Sequence, residues 1–318
     1  MYTKAFNTSE KLILRLSKLF EIISFTSFDT STSEGRSNER YRRIILAALA
    51  SILARCIGII ATLISVPLTI RYLGTERYGL WLTMSSLISI LSFTDLGMGN
   101  GLLNAISEAN GKDDKNLASK YVSSAFFMLL GISVILCAAF LLIYDLISWS
   151  IFFNVKSPLA ISESGPATIV FVVCFLINLP LSVVQRIQTG YQEGFFNSLW
   201  LAIGNILAIV SLLGAIYFET GLPWLVLALA GAPLVSTFVN GIVLFGWKYP
   251  WLRPRLDNIS LQISQKLFRV GFLFLILQIA SAVAYQSDNI VLARILGASV
   301  VPQYAVPVKL FALIPMLL

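Results

Sequence analysis

Long apolar runs follow one another along the chain, separated by short polar connections. The runs lie at about 44–70, 78–97, 118–145, 166–187, 197–218, 223–247 and 268–294, and an eighth begins near 303. Since roughly 20 apolar residues of helix cross a bilayer core, the first seven predict transmembrane helices. Their continuity, without a period of two, favours an all-α polytopic membrane protein over a β-barrel. The eighth run reaches only Leu318, so we expect the chain to stop inside a helix of a longer protein.

Two polar stretches, one after the first run and one after the seventh, resemble each other. "RYLGTERYGLW" (71–81) and "ARILGASVVPQYA" (293–305) share an Arg, a Leu-Gly two residues later, and a Tyr followed by a small residue. The shared positions are Arg71, Gly74, Tyr78 and Gly79 in the first copy, and Arg294, Gly297, Tyr304 and Ala305 in the second. Both join the outer end of an odd-numbered span to the next span, which predicts a parallel repeat with a hinge at each copy.

This repeat predicts four segments. They are an N-terminal extension (1–43), a first lobe of six spans (44–247), a cytoplasmic linker (248–267) and the first two helices of a second, pseudo-symmetric lobe (268–318).

The distribution of Lys and Arg predicts the orientation. Of the 23 such residues, seventeen fall in the N-terminal segment and the even-numbered connections, four in the odd-numbered ones and two inside spans. The positive-inside rule therefore places the N-terminus in the cytoplasm, in a bacterial inner membrane. The stretch "EKLILRLSKLFEII" (10–23) predicts a basic amphipathic helix, lying either on the inner leaflet or on the protein's own cytoplasmic face. The net charge of +7 reflects topology and lipid contact, not a nucleic-acid partner.

Composition narrows the chemistry further. The chain is 57% hydrophobic and 12% charged, about half the charge of a soluble domain. It contains no histidine, which removes His-based proton shuttles, Ser-His-Asp triads and most zinc sites. We therefore expect no metal centre, no cofactor and no enzymatic activity. The three cysteines lie inside apolar runs and read as core residues.

Charges inside spans are costly and commonly functional. Arg55 lies midway along the first run, and Ser51, Gly58, Thr62 and Ser65 lie at helical spacing around it. The stripe predicts a cationic group in a cavity that holds an anion. The alternatives are a structural ion pair, or an arginine that extends to the cytoplasmic interface.

The seventh run carries a similar face. Gln278, Ser281, Tyr285 and Asp288 follow at spacings of three and four residues, and the first three read as cavity-lining. Asp288 either pairs with Arg294 or Arg71, or binds a coupling proton or sodium ion. Lys309, the single charge of the eighth run, lines the cavity or reaches the interface.

A glycine series ends the second run. In "TDLGMGNGLLNAISEANGKDDKN", Gly97, Gly99 and Gly101 follow Asp95, with no preceding strand that would make a dinucleotide fingerprint. The series predicts either a broken helix that lines a transport cavity or a plain helix exit at which Asp95 accepts from backbone donors.

Three stretches together resemble one family. "RYLGTERYGLW", "DLGMGNGLLNAISEANGKDD" and "QSDNIVLARILGASVVPQYAVPVKL" are similar to the O-antigen and capsule repeat-unit flippases of the multidrug/oligosaccharidyl-lipid/polysaccharide exporter superfamily. The resemblance covers roughly 44–318. It implies two six-helix lobes that move an undecaprenyl-pyrophosphate-linked oligosaccharide to the periplasmic leaflet by alternating access, in contact with lipid and with other polysaccharide-assembly proteins. The chain departs from this pattern by lacking most of the second lobe and by carrying residues 1–43.

Three other functions are open to this sequence, and one of them is a non-catalytic membrane scaffold. A drug/cation antiporter of the same superfamily would have more carboxylates in its cavity. A membrane polymerase, ligase or acyltransferase would have a large outer loop or a catalytic His, whereas the longest outer loop here is about 146–165.

Overall fold

A computed structural model describes residues 32–91 and 95–311, and every regular element in those ranges is helical. The α-helices are α1 (Ser33–Leu91), α2 (Met98–Gly111), α3 (Lys115–Tyr144), α4 (Trp149–Phe152), α5 (Pro158–Gly190), α6 (Gly194–Tyr217), α7 (Leu222–Val226), α8 (Ala232–Val243), α9 (Leu261–Leu296) and α10 (Val301–Phe311). Two π-helical segments, Leu227–Gly231 and Leu244–Lys248, extend α7 and α8 into one continuous helix. Short 3-10 turns, Pro250–Leu252 and Leu256–Asn258, lead into α9.

Within the described ranges, six helical stretches are long and apolar enough to cross a membrane: Ile44–Leu87, Lys115–Tyr144, Pro158–Gly190, Gly194–Tyr217, Leu222–Lys248 and Leu261–Ala280. Large apolar side chains on them are exposed, among them Ile135 (68%) and Leu142 (78%), and lipid is the solvent that suits such surfaces. The chain is an all-α, multi-pass membrane protein, as the sequence predicts.

The first of these stretches contains two predicted spans. Its 44 residues would extend about 66 Å at 1.5 Å per residue, roughly twice a bilayer core. Gly74 divides it, with φ 77° and ψ 171° inside the helix. We call the end of the bundle that contains Gly74 the outer end and the opposite end the inner end, following the predicted orientation.

Each end has its own apolar core. The outer core joins the Gly74 corner to α5, α7 and the α9–α10 connection through Leu73, Tyr78, Phe153, Leu222 and Ala298. The inner core joins α2, α3, α5 and the start of α9 through Leu102, Val122, Ile187, Leu252 and Leu267. The alternation of spans assigns each connection to one side of the membrane. In the structure, the connections of one side lie together at one end of the bundle.

Several boundaries differ from the sequence prediction, among them the starts of α5 at Pro158 and of α9 at Leu261, against the predicted 166 and 268. The predicted second span, 78–97, ends as helix at Leu91, and residues 98–111, expected to belong to the inner connection, form the separate helix α2. Residues 33–43 are helical and continuous with α1, the predicted extension over 1–43 stays a prediction, and the amphipathic helix over 10–23 lies outside the described residues. The eighth helix begins at Val301, and the division into lobes stays a prediction.

Backbone crossings at glycine bring α9 and α10 close to the first six spans. A Cβ at Gly101 would lie 2.9 Å from the carbonyl oxygen of Leu267, and one at Gly271 would lie 2.7 Å from that of Leu96. At the outer end, a Cβ at Gly79 would lie 2.7 Å from the carbonyl carbon of Ala298. Small residues allow this approach of helix backbones in membranes.

Candidate functional site

The outer corner of α1 is fastened by polar contacts. Gly74 adopts a conformation open essentially to glycine alone. The Glu76 carboxylate accepts from the backbone N–H of Ser157 at 3.2 Å, and Ser157 in turn caps α5. Arg77 pairs with Glu163 at 3.4 Å, and Glu163 accepts from the first residue of α7 at 3.2 Å. The predicted hinge is therefore tied to α5 and α7 on one side.

The second copy of this stretch has a similar backbone and different side-chain contacts. Gly297 has φ 97° and ψ 156°, in the same glycine-only region as Gly74. The Tyr304 hydroxyl donates to Asp288, and the Arg294 guanidinium donates to the Ile151 carbonyl at 3.1 Å. Neither Arg294 nor Arg71, which is exposed, forms an ion pair with Asp288 within the described ranges.

The glycine series at the start of α2 lies against two polar side chains, Asp95 and Arg186. The Asp95 carboxylate accepts from Gly97 N–H at 2.8 Å, and Gly97 has φ 70°. A Cβ on Gly99 would meet both the Arg186 guanidinium and the Asp95 carboxylate near 3 Å, and Arg186 donates to Asn100 at 2.9 Å. A helix begins directly after Gly97, and Asp95 accepts from a backbone donor there, while a cavity-lining role for this break stays a prediction.

Arg55 lies away from any described cavity. Its side chain is exposed, whereas Ser51, one turn earlier, contacts Ser198 of α6 at 3.0 Å and donates to the Ala47 carbonyl. Ser51 thus packs two helices together, Arg55 is exposed, and Gly58, Thr62 and Ser65 of the predicted stripe line the cavity described next.

A cavity of about 210 Å³ lies between α1, α6, the continuous α7–α8 helix and the last described turn of α10. We call it the Lys309 cavity, because Lys309 is the charged residue of its lining. Its other polar lining residues are Thr62, Ser65, Thr69, Tyr78 and Asn205. The structure thus brings together Thr62 and Lys309, which the sequence predicts as cavity residues, and adds Tyr78 from the repeat.

Hydrogen bonding leaves few donors free in this cavity. Thr62 and Thr69 donate their hydroxyl protons to Gly58 and Ser65 carbonyls, at 2.9 and 2.6 Å. Within residues 32–91 and 95–311, the Lys309 ammonium and the Asn205 amide have no partner. Among the described residues, the cavity lining therefore has one positive charge, no carboxylate and unused N–H donors, a set suited to an anion.

A second cavity of about 300 Å³ lies between α5, α6 and α8. Its polar lining is neutral and includes Asn178, Gln185 and Thr237. Beside it, Gln188 and Asn240 exchange two amide hydrogen bonds at 2.7 and 3.0 Å while almost fully buried. The Gln188–Asn240 pair joins α5 to α8, and the described lining of this cavity offers no charge to a ligand.

The face predicted on the seventh run is partly visible. Gln278 Oε1 is buried without a hydrogen-bond donor among the described residues, and so is Asn289 Oδ1, while Asn289 Nδ2 donates to Ser86 at 2.8 Å. The Tyr285 and Ser281 side chains lie outside the described part of the structure. Gln278 does not line the Lys309 cavity.

Comparison with known proteins identifies the family. The model of the family "Polysaccharide biosynthesis protein" matches residues 46–318. The chain belongs to this family. It is also 25% identical over 276 residues to a putative O-antigen transporter of Salmonella typhi, covering 86% of this chain and 62% of that protein. The chain thus spans under two thirds of the length of this curated relative.

Solved structures show the same fold at low sequence identity. An outward-facing multidrug resistance transporter of the MATE family superposes with a TM-score of 0.67 at 19% identity, covering 87% of this chain and 61% of the other. Its inward-facing form gives 0.64 at 19% identity, covering 85% and 58%. A superfamily transporter from Pyrococcus furiosus gives 0.64 at 16% identity, covering 82% and 62%. The family resemblance inferred from the three quoted stretches is confirmed.

Sequence reasoning missed two residues of this family member's polar interior. Asn205 is an amide inside the apolar run 197–218, which is itself a signal, since polar groups in spans tend to face the bundle interior. Arg186, at the inner end of the predicted span 166–187, is half-buried on α5, and its guanidinium lies with the Asp95 carboxylate beside Gly99.

Proposed function

We propose that the chain forms part of a transporter that moves an undecaprenyl-pyrophosphate-linked oligosaccharide from the cytoplasmic to the periplasmic leaflet. The Lys309 cavity carries this proposal, because it presents a cation and an amide without a lining carboxylate. A pyrophosphate group needs such donors. The O-antigen transporter similarity and the polysaccharide family support the substrate class.

The size of the cavity supports transport by alternating access. At about 210 Å³, it lies below the roughly 300–1,000 Å³ of sites that hold drug-sized ligands. An oligosaccharide therefore enters only if the helices around it separate. In this proposal the lipid tail stays in the bilayer, and α10 brings Lys309 from the predicted second lobe to the first.

Orientation, membrane and coupling are further parts of the proposal. The excess of Lys and Arg in the predicted inner connections supports a cytoplasmic N-terminus in a bacterial inner membrane. We propose Asp288, the acceptor of the Tyr304 hydroxyl, as the site of a coupling proton or sodium ion. Other polysaccharide-assembly proteins would deliver the substrate.

The cavity disfavours a drug/cation antiporter. A cationic substrate would need a carboxylate to offset its desolvation, and the Lys309 cavity presents a cation in that place. We therefore expect no protection from cationic dyes or drugs when the protein is expressed in an efflux-deficient strain.

The test is complementation of a bacterial strain that lacks its polysaccharide flippase. The complete reading frame that encodes this chain is expressed as wild type, Lys309→Ala, Lys309→Arg and Arg55→Ala, at matched levels in the membrane. We expect surface polysaccharide to be lost in Lys309→Ala and retained in Lys309→Arg, with lipid-linked oligosaccharide accumulating on the cytoplasmic side.

Three outcomes contradict this scheme. Full surface polysaccharide in Lys309→Ala would refute the role of this cavity, and a loss confined to Arg55→Ala would restore the anion site to the stripe predicted from sequence. Drug resistance without polysaccharide export would favour the antiporter.

A further inference from the structure

The inner end of the first six spans contains a pocket separate from the Lys309 cavity. Three connections converge there: the α2–α3 turn, the α5–α6 turn and the segment that follows α8. The pocket encloses about 330 Å³, which lies within the range of small-molecule sites. We call it the inner-end pocket.

Three aromatic rings form one side of this pocket. Tyr191 and Tyr249 stack with ring centroids 5.0 Å apart, and Trp251 meets both edge-on, at 6.3 and 6.1 Å. All three line the pocket while only half-buried. Burial and nearby carboxylates raise the pKa of Tyr191 to about 12, so its hydroxyl stays a neutral donor and acceptor.

Polar groups with unused hydrogen-bonding capacity form the other side. Asn110, Asp113 and Lys115 line the pocket and are exposed, and no described residue bonds to their side chains. Asp114 and Lys248 also line it, but Asp114 caps α3 through Leu117 N–H at 2.9 Å. Lys248 pairs with Glu193 at 2.8 Å. The Asp113 carboxylate, the Asn110 amide and the Lys115 ammonium thus line the same pocket as the three aromatic rings.

We infer that this pocket binds a neutral pyranose sugar ring. Such a ring has an apolar C–H face, which packs on aromatic carbon, and hydroxyls that both donate and accept. The carboxylate of Asp113 accepts, the Lys115 ammonium donates, and the Asn110 amide does both. The inference is independent of the Lys309 cavity. Its use in holding the sugar head group before transport rests on the proposed function.

Charge and shape disfavour two other ligand classes. The carboxylates of Asp113, Asp114 and Glu193 outnumber the ammonium groups of Lys115 and Lys248, so the pocket offers no net positive charge to a nucleotide phosphate. A quaternary ammonium ion is held by aromatic faces on several sides, whereas Tyr191 and Tyr249 stack on each other, so that one face of each ring is already covered.

Direct binding tests the inference without any transport assay. The purified full chain in detergent is mixed with the methyl glycosides of glucose, galactose and N-acetylglucosamine, and saturation-transfer NMR reports which of them bind. Uridine monophosphate and choline serve as probes for the other ligand classes. We expect at least one glycoside to bind at millimolar concentration, and neither of the other probes to bind.

The structure offers a matched pair of variants. Asp113 has φ 51°, a conformation that suits glycine, so Asp113→Gly removes the carboxylate without backbone strain. Glu219→Gly removes a carboxylate at the same φ of 51° from the outer end. We expect Asp113→Gly to weaken glycoside binding about tenfold, the order of one lost hydrogen bond to a charged group, and Glu219→Gly to leave it unchanged.

The outcomes of these experiments distinguish a failure of the sugar-binding inference from a failure of the proposed function. No transfer to any of the three glycosides, or equal binding by wild type and Asp113→Gly, overturns the inference. If only uridine monophosphate or choline binds, the pocket takes that class of ligand and the sugar inference is wrong. Glycoside binding without complementation of the flippase-deficient strain leaves the pocket in place and refutes the proposed function, and the converse result refutes the pocket alone.

Discussion

Gly79→Ala tests the close approach of α10 to the first six spans. A Cβ at residue 79 would lie 2.7 Å from the carbonyl carbon of Ala298 and 3.2 Å from Cδ of Pro302, and closer still to the Ala298 oxygen. Carbon atoms prefer about 3.5–4.0 Å, and neither a backbone carbonyl nor a proline ring can rotate away. The two segments must therefore separate by about 1 Å.

The free energy of this change follows from two opposing effects. Overpacking costs about 1–3 kcal/mol, while replacing Gly by Ala inside a helix gains about 0.5–1 kcal/mol. We expect Gly79→Ala to lower the free energy of unfolding by about 1–2 kcal/mol. The control is Gly131→Ala in α3, since nothing lies within 4 Å of a Cβ there, and it should be neutral or stabilising.

Equilibrium unfolding in mixed detergent micelles measures both variants on the same purified chain. The Trp81 side chain, two residues along α1 and packed on Phe171 at 5.3 Å, provides a local fluorescence signal. If Gly79→Ala is as stable as Gly131→Ala, the contact between the two outer connections does not exist as described, and the predicted lobes are less closely joined.

Two further substitutions probe polar contacts inside the bundle. Asn240→Ala leaves the buried Gln188 amide without its partner at 2.7 Å, and we expect a loss of about 1–3 kcal/mol; an equal unfolding midpoint in micelles would contradict this. Ser124→Ala removes the acceptor of Ser260 N–H at 3.2 Å, so we expect faster amide exchange over 255–260 by mass spectrometry, and unchanged exchange there would refute the contact.

The spans were predictable because their signal is local. A run of about 20 apolar residues has one favourable environment, so most of the boundaries agree within a few residues. The exception is α2, whose 98–111 sequence mixes Gly, Asn, Ser and Glu with its apolar residues. Its helix is stabilised by tertiary packing of Met98, Leu102 and Ile106 in the inner core, and no long apolar run in the sequence predicts it.

The sequence indicates which residue types form the candidate site, but not where they lie in the helix bundle. The sequence indicates a cation within the spans but cannot say which face of a helix meets which neighbour. Lys309 lines the cavity because α10 crosses α1 near Gly79, while Arg55 is exposed on α1. That difference depends on contacts between residues more than 200 positions apart, which a periodicity argument does not contain.

The two similar outer stretches share a backbone conformation but differ in their side-chain contacts. Gly74 and Gly297 share a conformation that other residues rarely adopt, so the repeated glycine follows from the repeated corner. The positions two and three residues later are Glu76 and Arg77 in the first copy and Ser299 and Val300 in the second. The Glu76 and Arg77 contacts to the α5 region therefore have no equivalent beside Gly297. A repeat that preserves the corner and varies its contacts allows the two corners to differ in rigidity, and the Lys309 cavity, which Thr69 and Tyr78 line, lies beside the corner that has the Arg77–Glu163 ion pair.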